Sequence, residues 1–151
     1  MRLRPFRSDD WAEVLAVWVA AWTKARSDID FSARAKWLED VFARSADEGA
    51  QVVVAEDEGI VGFVLFDPVR RWLEQIAVAP LAQGRGVARA LMAQVKAACP
   101  EGLALAVNVD NLRALAFYAS EGFVRDANGV NPLSGLPTCE LRWTPEGAST
   151  R

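Results

Sequence analysis

Two hydrophobic periods alternate along this chain, and the switches between them predict a mixed set of helices and strands. Arg2 to Phe6 predicts a short strand. Ser8-Asp9-Asp10 offers an N-cap and acidic first turn for a helix to about Ala25, whose apolar positions Trp11, Val14, Leu15, Trp18 and Trp22 recur at three and four. A polar break, Ser27-Asp28-Ile29-Asp30, precedes a second helix from about Ser32 to Ala46. Gln51 to Ala55 and Ile60 to Phe66 flank Glu56-Asp57-Glu58-Gly59 as a hairpin, and Asp67-Pro68 turns the chain into a strand from Arg71 to Val78. Simple alternation puts Trp72, Glu74, Ile76 and Val78 on one face of that strand, and Pro80 ends it. Val87, Leu91, Val95 and Ala98 then repeat at helical spacing until Pro100. Leu103 to Val107 reads as a buried strand of the kind that follows a crossover helix, and Asn108 to Glu121 holds a shorter helix closed by Gly122. Phe123-Val124-Arg125 and Leu136 to Trp143 predict a last antiparallel pair, and Thr144 to Arg151 a disordered tail.

With 151 residues, 52% of them hydrophobic, the chain suits one domain, residues 1–143, with a sizeable core. A net charge of -3 and the lack of a Lys/Arg stripe argue against nucleic acid as a partner. The longest wholly apolar run, Val14 to Trp22, is too short to span a bilayer, and Met1 to Pro5 lacks the core of a signal peptide. The expectation is therefore a cytoplasmic protein without a membrane partner. Cys99 and Cys139 lie far apart and histidine is absent, so no metal site is expected.

Gln83-Gly84-Arg85-Gly86-Val87-Ala88 sits between a strand and a helix, an order that makes a phosphate site. Free N–H groups at a helix start carry partial positive charge, and glycines let a pyrophosphate come close. The Walker pattern fails because Val87-Ala88 follows Gly86 where Lys-Ser or Lys-Thr is needed. The dinucleotide fingerprint fails because Arg89 stands where a small residue belongs, which argues against a nicotinamide-dependent oxidoreductase.

The order of elements and three sets of residues resemble the GCN5-related N-acetyltransferase family, over nearly the whole stretch from Arg2 to Trp143. The first set is Val78-Ala79-Pro80 followed by Gln83 to Ala88, similar to the family's Gln/Arg-x-x-Gly-x-Gly/Ala loop. The second is Asn108-Val109-Asp110-Asn111, then Ala114, Phe117-Tyr118 and Gly122-Phe123; the third is the strand ending Ile76-Ala77-Val78. Spacing and the segment Asn131 to Thr138 look most like the small single-domain bacterial members. The resemblance implies an α/β fold of the mixed α+β kind: a mostly antiparallel sheet with a parallel splayed pair and about four helices. It implies acetyl-CoA as acyl donor and a primary amine, small molecule or peptide, as acceptor. Monomer and homodimer both stay open.

Under that resemblance Tyr118 is the general acid, able to protonate a departing thiolate, although a Tyr beside Phe117 also reads as a packed aromatic. Without histidine, the base is a carboxylate or an ordered water chain. Glu74 is the candidate, since burial beside Trp72 and Ile76 would raise its pKa, whereas a bulge or plain solvation would remove that argument. Backbone groups of Ile76, Ala77 and Val78 would pair with the pantetheine arm. Gln83, Gly84, Arg85, Gly86, Val87 and Ala88 would hold the diphosphate, and Asn108 and Asn111 the cofactor; Asn111 also reads as a helix N-cap, and Arg89 as either a phosphate ligand or a solvated residue. Trp22, Asp28, Asp30, Phe31 and Trp37 are acceptor candidates, because acids with aromatic faces suit an ammonium; core tryptophans and solvated acids are the alternative. A non-catalytic acetyl-CoA sensor or partner-binding domain of the same fold is the competing function. Cys139 lacks the neighbours of an acyl-carrying nucleophile.

Overall fold

A computed structural model describes residues 1–145; the remainder of the expected tail, 146–151, lies outside the described residues. Seven strands form one sheet: β1 (Arg2–Pro5), β2 (Gln51–Glu56), β3 (Ile60–Asp67), β4 (Trp72–Val78), β5 (Leu103–Asn108), β6 (Val124–Val130) and β7 (Pro137–Trp143). Four α-helices accompany them: α1 (Trp11–Ala25), α2 (Ala35–Asp47), α3 (Val87–Ala98) and α4 (Leu112–Ser120). The strand order is β1-β2-β3-β4-β5-β7-β6, antiparallel throughout except for the central β4–β5 pair. The mixed, mostly antiparallel sheet expected from the sequence is the one observed.

Alternation along the strands divides the core between the two faces. Val53, Ala55, Val64 and Phe66 pack with Val87, Leu91, Met92 and Val95 of α3, whereas Val54 and Phe63 pack with Val14, Trp18 and Leu38 of α1 and α2. At Gly62, α3 comes so close that an added Cβ would sit 3.0 Å from Val87 Cγ1 and 3.1 Å from the Ala77 carbonyl oxygen, so any larger residue would need both neighbours to give by a few tenths of an ångström.

In β4 the expected alternation breaks. Leu65 pairs with Gln75 but Phe66 pairs with Leu73, which leaves Glu74 as the extra residue of a β-bulge. Leu73, Ile76 and Val78 therefore join the α3 cluster at spacings of three and two, and Ala77 joins the α1–α2 cluster. Glu74 is exposed, so the burial expected for it beside Trp72 and Ile76 is missing.

Other departures are local. Ser8–Asp10 and Ser32–Arg34 form single 3-10 turns ahead of α1 and α2, and neither α-helix has a side-chain N-cap. The last pair is longer than predicted on its outer side: all seven residues of β6 are exposed, so no burial pattern marked them as a strand.

Near the chain start, Asp10 is only 6% exposed and is held by a fork from Arg4, with Nη1–Oδ2 at 2.8 Å and Nη2–Oδ1 at 2.9 Å, and by the Arg7 backbone N–H at 2.7 Å. The Arg4 guanidinium, chiefly, holds the Asp10 carboxyl at about 2, below its usual 3.8. A depressed carboxylate stabilises the fold fully above its unfolded pKa, and that contribution is lost as pH falls through the folded value. Thermal melts between neutral pH and pH 2 are expected to show Arg4→Met starting from a lower midpoint at neutral pH. The variant should also lose less than the parent as the pH drops from about 4 to about 2, because its Asp10 keeps the Arg7 N–H but has lost the chief cause of its depressed pKa. Parallel acid limbs in the two proteins would contradict this assignment.

Candidate active site

The parallel pair β4–β5 is short by construction: only Trp72 with Ala104 and Leu73 with Leu105 are in register. Beyond that point the strands part, and the second half of β4 is bonded on one side alone. The Ala79 N–H donates to Val61 of β3, so by strand parity Ala77 also faces β3, while Ile76 and Val78 turn their backbone groups to the open edge. Gln83 claims one of them, its Nε2 donating to the Val78 carbonyl at 3.0 Å, and Lys24 Nζ in turn donates to Gln83 Oε1 at 2.9 Å.

The opening is a cavity of about 640 Å³. Its floor includes Ile76, Ala77 and Val78; Gln83, Gly84, Gly86, Val87 and Ala88 bring in the turn and the start of α3, and Asn108, Asn111 and Tyr118 close the far side. Gly84 and Gly86 have φ of +82° and +83°, and a Cβ on either would meet no atom within 4 Å. Their backbone lies bare beside the first N–H groups of α3, a cradle fit for phosphate. The cationic lining residues Lys24, Arg89 and Arg113 suit the same charge.

Tyr118 is 7% exposed, its ring packed edge-on to Phe123 at 5.6 Å between centroids. Burial pushes its phenol above the ordinary value, so the hydroxyl stays protonated at neutral pH. Among the described residues its oxygen has no hydrogen-bond partner and no side-chain oxygen is both unpartnered and sealed from solvent, so the hydroxyl opens on the cavity. Asn111 caps α4, its Oδ1 accepting from the Ala114 N–H at 3.2 Å, and Asn108 Oδ1 accepts from Asn131 Nδ2 at 3.2 Å.

Several expected residues stand elsewhere. Glu74 is not in the cavity, and Arg85 is exposed outside its walls, with Arg89 lining it instead. Of the acceptor candidates only Trp22 lines it. Phe31 and Trp37 belong to the α1–α2 core against Trp18. Asp30 accepts from Ser32 Oγ at 2.6 Å and the Ala33 N–H at 3.3 Å, and Asp28 is forked by Arg26 at 3.0 and 2.9 Å. Those carboxylates are spent locally.

Reading the sequence missed Lys24, Arg26, Asp110 and Arg113. Arg26, at the end of α1, reaches Asp110 at 3.0 Å beyond β5, so an ion pair links the two sides of the cleft. The signal available was spacing: Arg26 follows Trp22 by one helical turn and shares its side.

Comparison with known proteins agrees with this fold. A family model described as the acetyltransferase (GNAT) family matches residues 11–123. No curated protein matches the chain. Among solved structures, one described as a GCN5-related N-acetyltransferase from Rhodopseudomonas palustris is similar with a TM-score of 0.79 and 23% identity, over 95% of each chain. Apo-form YjaB from Escherichia coli gives 0.74 and 27%, over 94% of this chain and 96% of its own. PaiA N-acetyltransferase from Thermoplasma acidophilum, in complex with coenzyme A, gives 0.76 and 14%, over 95% and 98%.

Proposed function

The chain belongs to the acetyltransferase (GNAT) family, and from that premise we propose that it transfers acetyl from acetyl-CoA directly to a primary amine, small molecule or peptide. The observation that carries this reading is the parting of β4 from β5 beyond Leu73 and Leu105, which frees a strand edge in the cavity that Tyr118 lines. Bound there, acetyl-CoA supplies an activated thioester.

The chain's own groups divide the rest of the work. The α3 N-terminus, with Gly84 and Gly86 and the cations Lys24, Arg89 and Arg113, takes the phosphates. The open N–H groups of Ile76 and Val78 orient the amide arm and polarise the acyl carbonyl, while the Val78 carbonyl stays tied to Gln83. The Tyr118 hydroxyl gives its proton to the sulfur as the C–S bond breaks and the C–N bond forms. Of the cavity's carboxylates, Asp110 is paired with Arg26 and Glu121 with Arg89 and Lys96, so water takes the acceptor's proton.

That assignment predicts that Glu74→Gln transfers acetyl within about twofold of the parent rate, as expected for a group that does not touch the reactants. A loss beyond about tenfold would restore Glu74 as the base.

Calorimetric titration with acetyl-CoA, CoA and NAD, followed by a coenzyme-release assay over a panel of primary amines, tests the whole reading. Binding of acetyl-CoA but not NAD, with turnover of at least one amine, is expected. A folded sample that binds no acetyl-CoA overturns it, and binding without turnover favours the non-catalytic sensor.

A further inference from the structure

A second cavity of about 270 Å³ lies where the end of α2 meets the β3–β4 turn, and it shares no residue with the transfer cleft. Ser45 and Asp67 in its wall are 9% and 6% exposed. Asp67 Oδ1 accepts the N–H groups of Val69 and Arg70 at 2.9 and 3.0 Å, whereas its Oδ2 and the Ser45 Oγ have no partner among the described residues. Since no unpartnered side-chain oxygen among the described residues is sealed off, both open on this cavity. Glu74, pushed out by the bulge, adds a third unpaired acceptor, and Trp72 an aromatic wall.

Charge decides what fits. Arg70 and Glu48 pair with each other at 3.5 Å, and the remaining groups, Asp67 and Glu74 against Arg44, leave an excess of negative charge. Among the described residues no group of three or more acidic, Cys or His side chains is arranged to hold a metal ion. Three acceptor oxygens match the three donors of an alkylammonium, and an aromatic wall favours the same cation.

We propose that this cavity is a second ligand site, taking the ammonium group of a small organic amine on Asp67, Ser45 and Glu74 beside Trp72. The site is independent of the acetyl-transfer reading. Nitrogen-15 NMR titration with 1,4-diaminobutane, with butyrate as the anionic control, tests it on the intact chain. The expected result is a saturable shift of the Trp72 indole N–H and the Glu74 amide with the diamine and none with butyrate. Asp67→Asn and Glu74→Gln should each weaken that binding about tenfold, and Tyr118→Phe should leave it unchanged. Glu74 is exposed, so its variant carries the test if Asp67→Asn does not fold. No saturable shift, a shift with butyrate instead, or binding unaltered in Glu74→Gln would overturn the proposal.

Discussion

Replacing Tyr118 by Phe is expected to lower acetyl transfer by about 10²- to 10³-fold while acetyl-CoA still binds within about threefold of the parent affinity. The separation of the two effects follows from where the side chain sits. Its ring packs against Phe117 and Phe123, with centroids 5.4 and 5.6 Å away, and Phe fills the same space. The hydroxyl has no partner among the described residues, so its removal leaves no buried group of theirs orphaned and should cost little stability. What is lost is a proton donor facing the cavity, one whose proton is kept by burial across the neutral range. The deficit should therefore be nearly constant between about pH 6 and pH 9, because the phenol does not titrate there. Rates at saturating amine, with donor affinity measured separately by calorimetry, check this. A loss below about threefold would remove Tyr118 from the chemistry.

Legibility in the sequence tracked how local each determinant is. The turn Gln83 to Ala88 and the start of α3 were readable because positive φ and a helix N-terminus leave their mark within a few residues. The face of Glu74 was not, because a bulge is set by the partner strand: Leu65 and Phe66 skip a residue of β4, and everything N-terminal to the skip changes face. Strand β6 was cut short for a different reason. A fully exposed edge carries no hydrophobic period, and Asp126, Asn128 and Gly129 look like a turn until β7 pairs with them. The placement of the acidic candidates was harder to read, because charge alone does not say whether a carboxylate is free. Asp28 and Asp30 looked available, yet Arg26 and the turn at Ser32 consume them, while Arg26 itself finds Asp110 across 84 positions of sequence. Local signals thus marked the turn and helix start that line the cleft, and tertiary pairing decided which acidic side chains stand free.

Gly86→Val should raise the dissociation constant for acetyl-CoA by about 100-fold. Gly86 has φ +83° directly before α3, and its carbonyl accepts the Ala90 N–H at 3.0 Å, so it sets the direction of the helix start. A β-branched residue at that φ is strained by at least about 1–2 kcal/mol, and relieving the strain swings the leading N–H groups away from the cradle. The added side chain meets no protein atom near its Cβ, so it fills the space assigned to phosphate instead of disturbing the core. Stability should consequently fall only modestly, by about 2–4 °C in melting temperature for each kcal/mol of strain retained. A donor without phosphates separates the two effects. S-acetylpantetheine lacks the diphosphate, so parent and variant should use it at similar kcat/KM, whereas acetyl-CoA should distinguish them about 100-fold. If Gly86→Val binds acetyl-CoA as the parent does, the turn is structural punctuation and the phosphates lie elsewhere. Equal losses with both donors would instead place the damage at the strand edge of Ile76 and Val78, which the start of α3 then helps to hold.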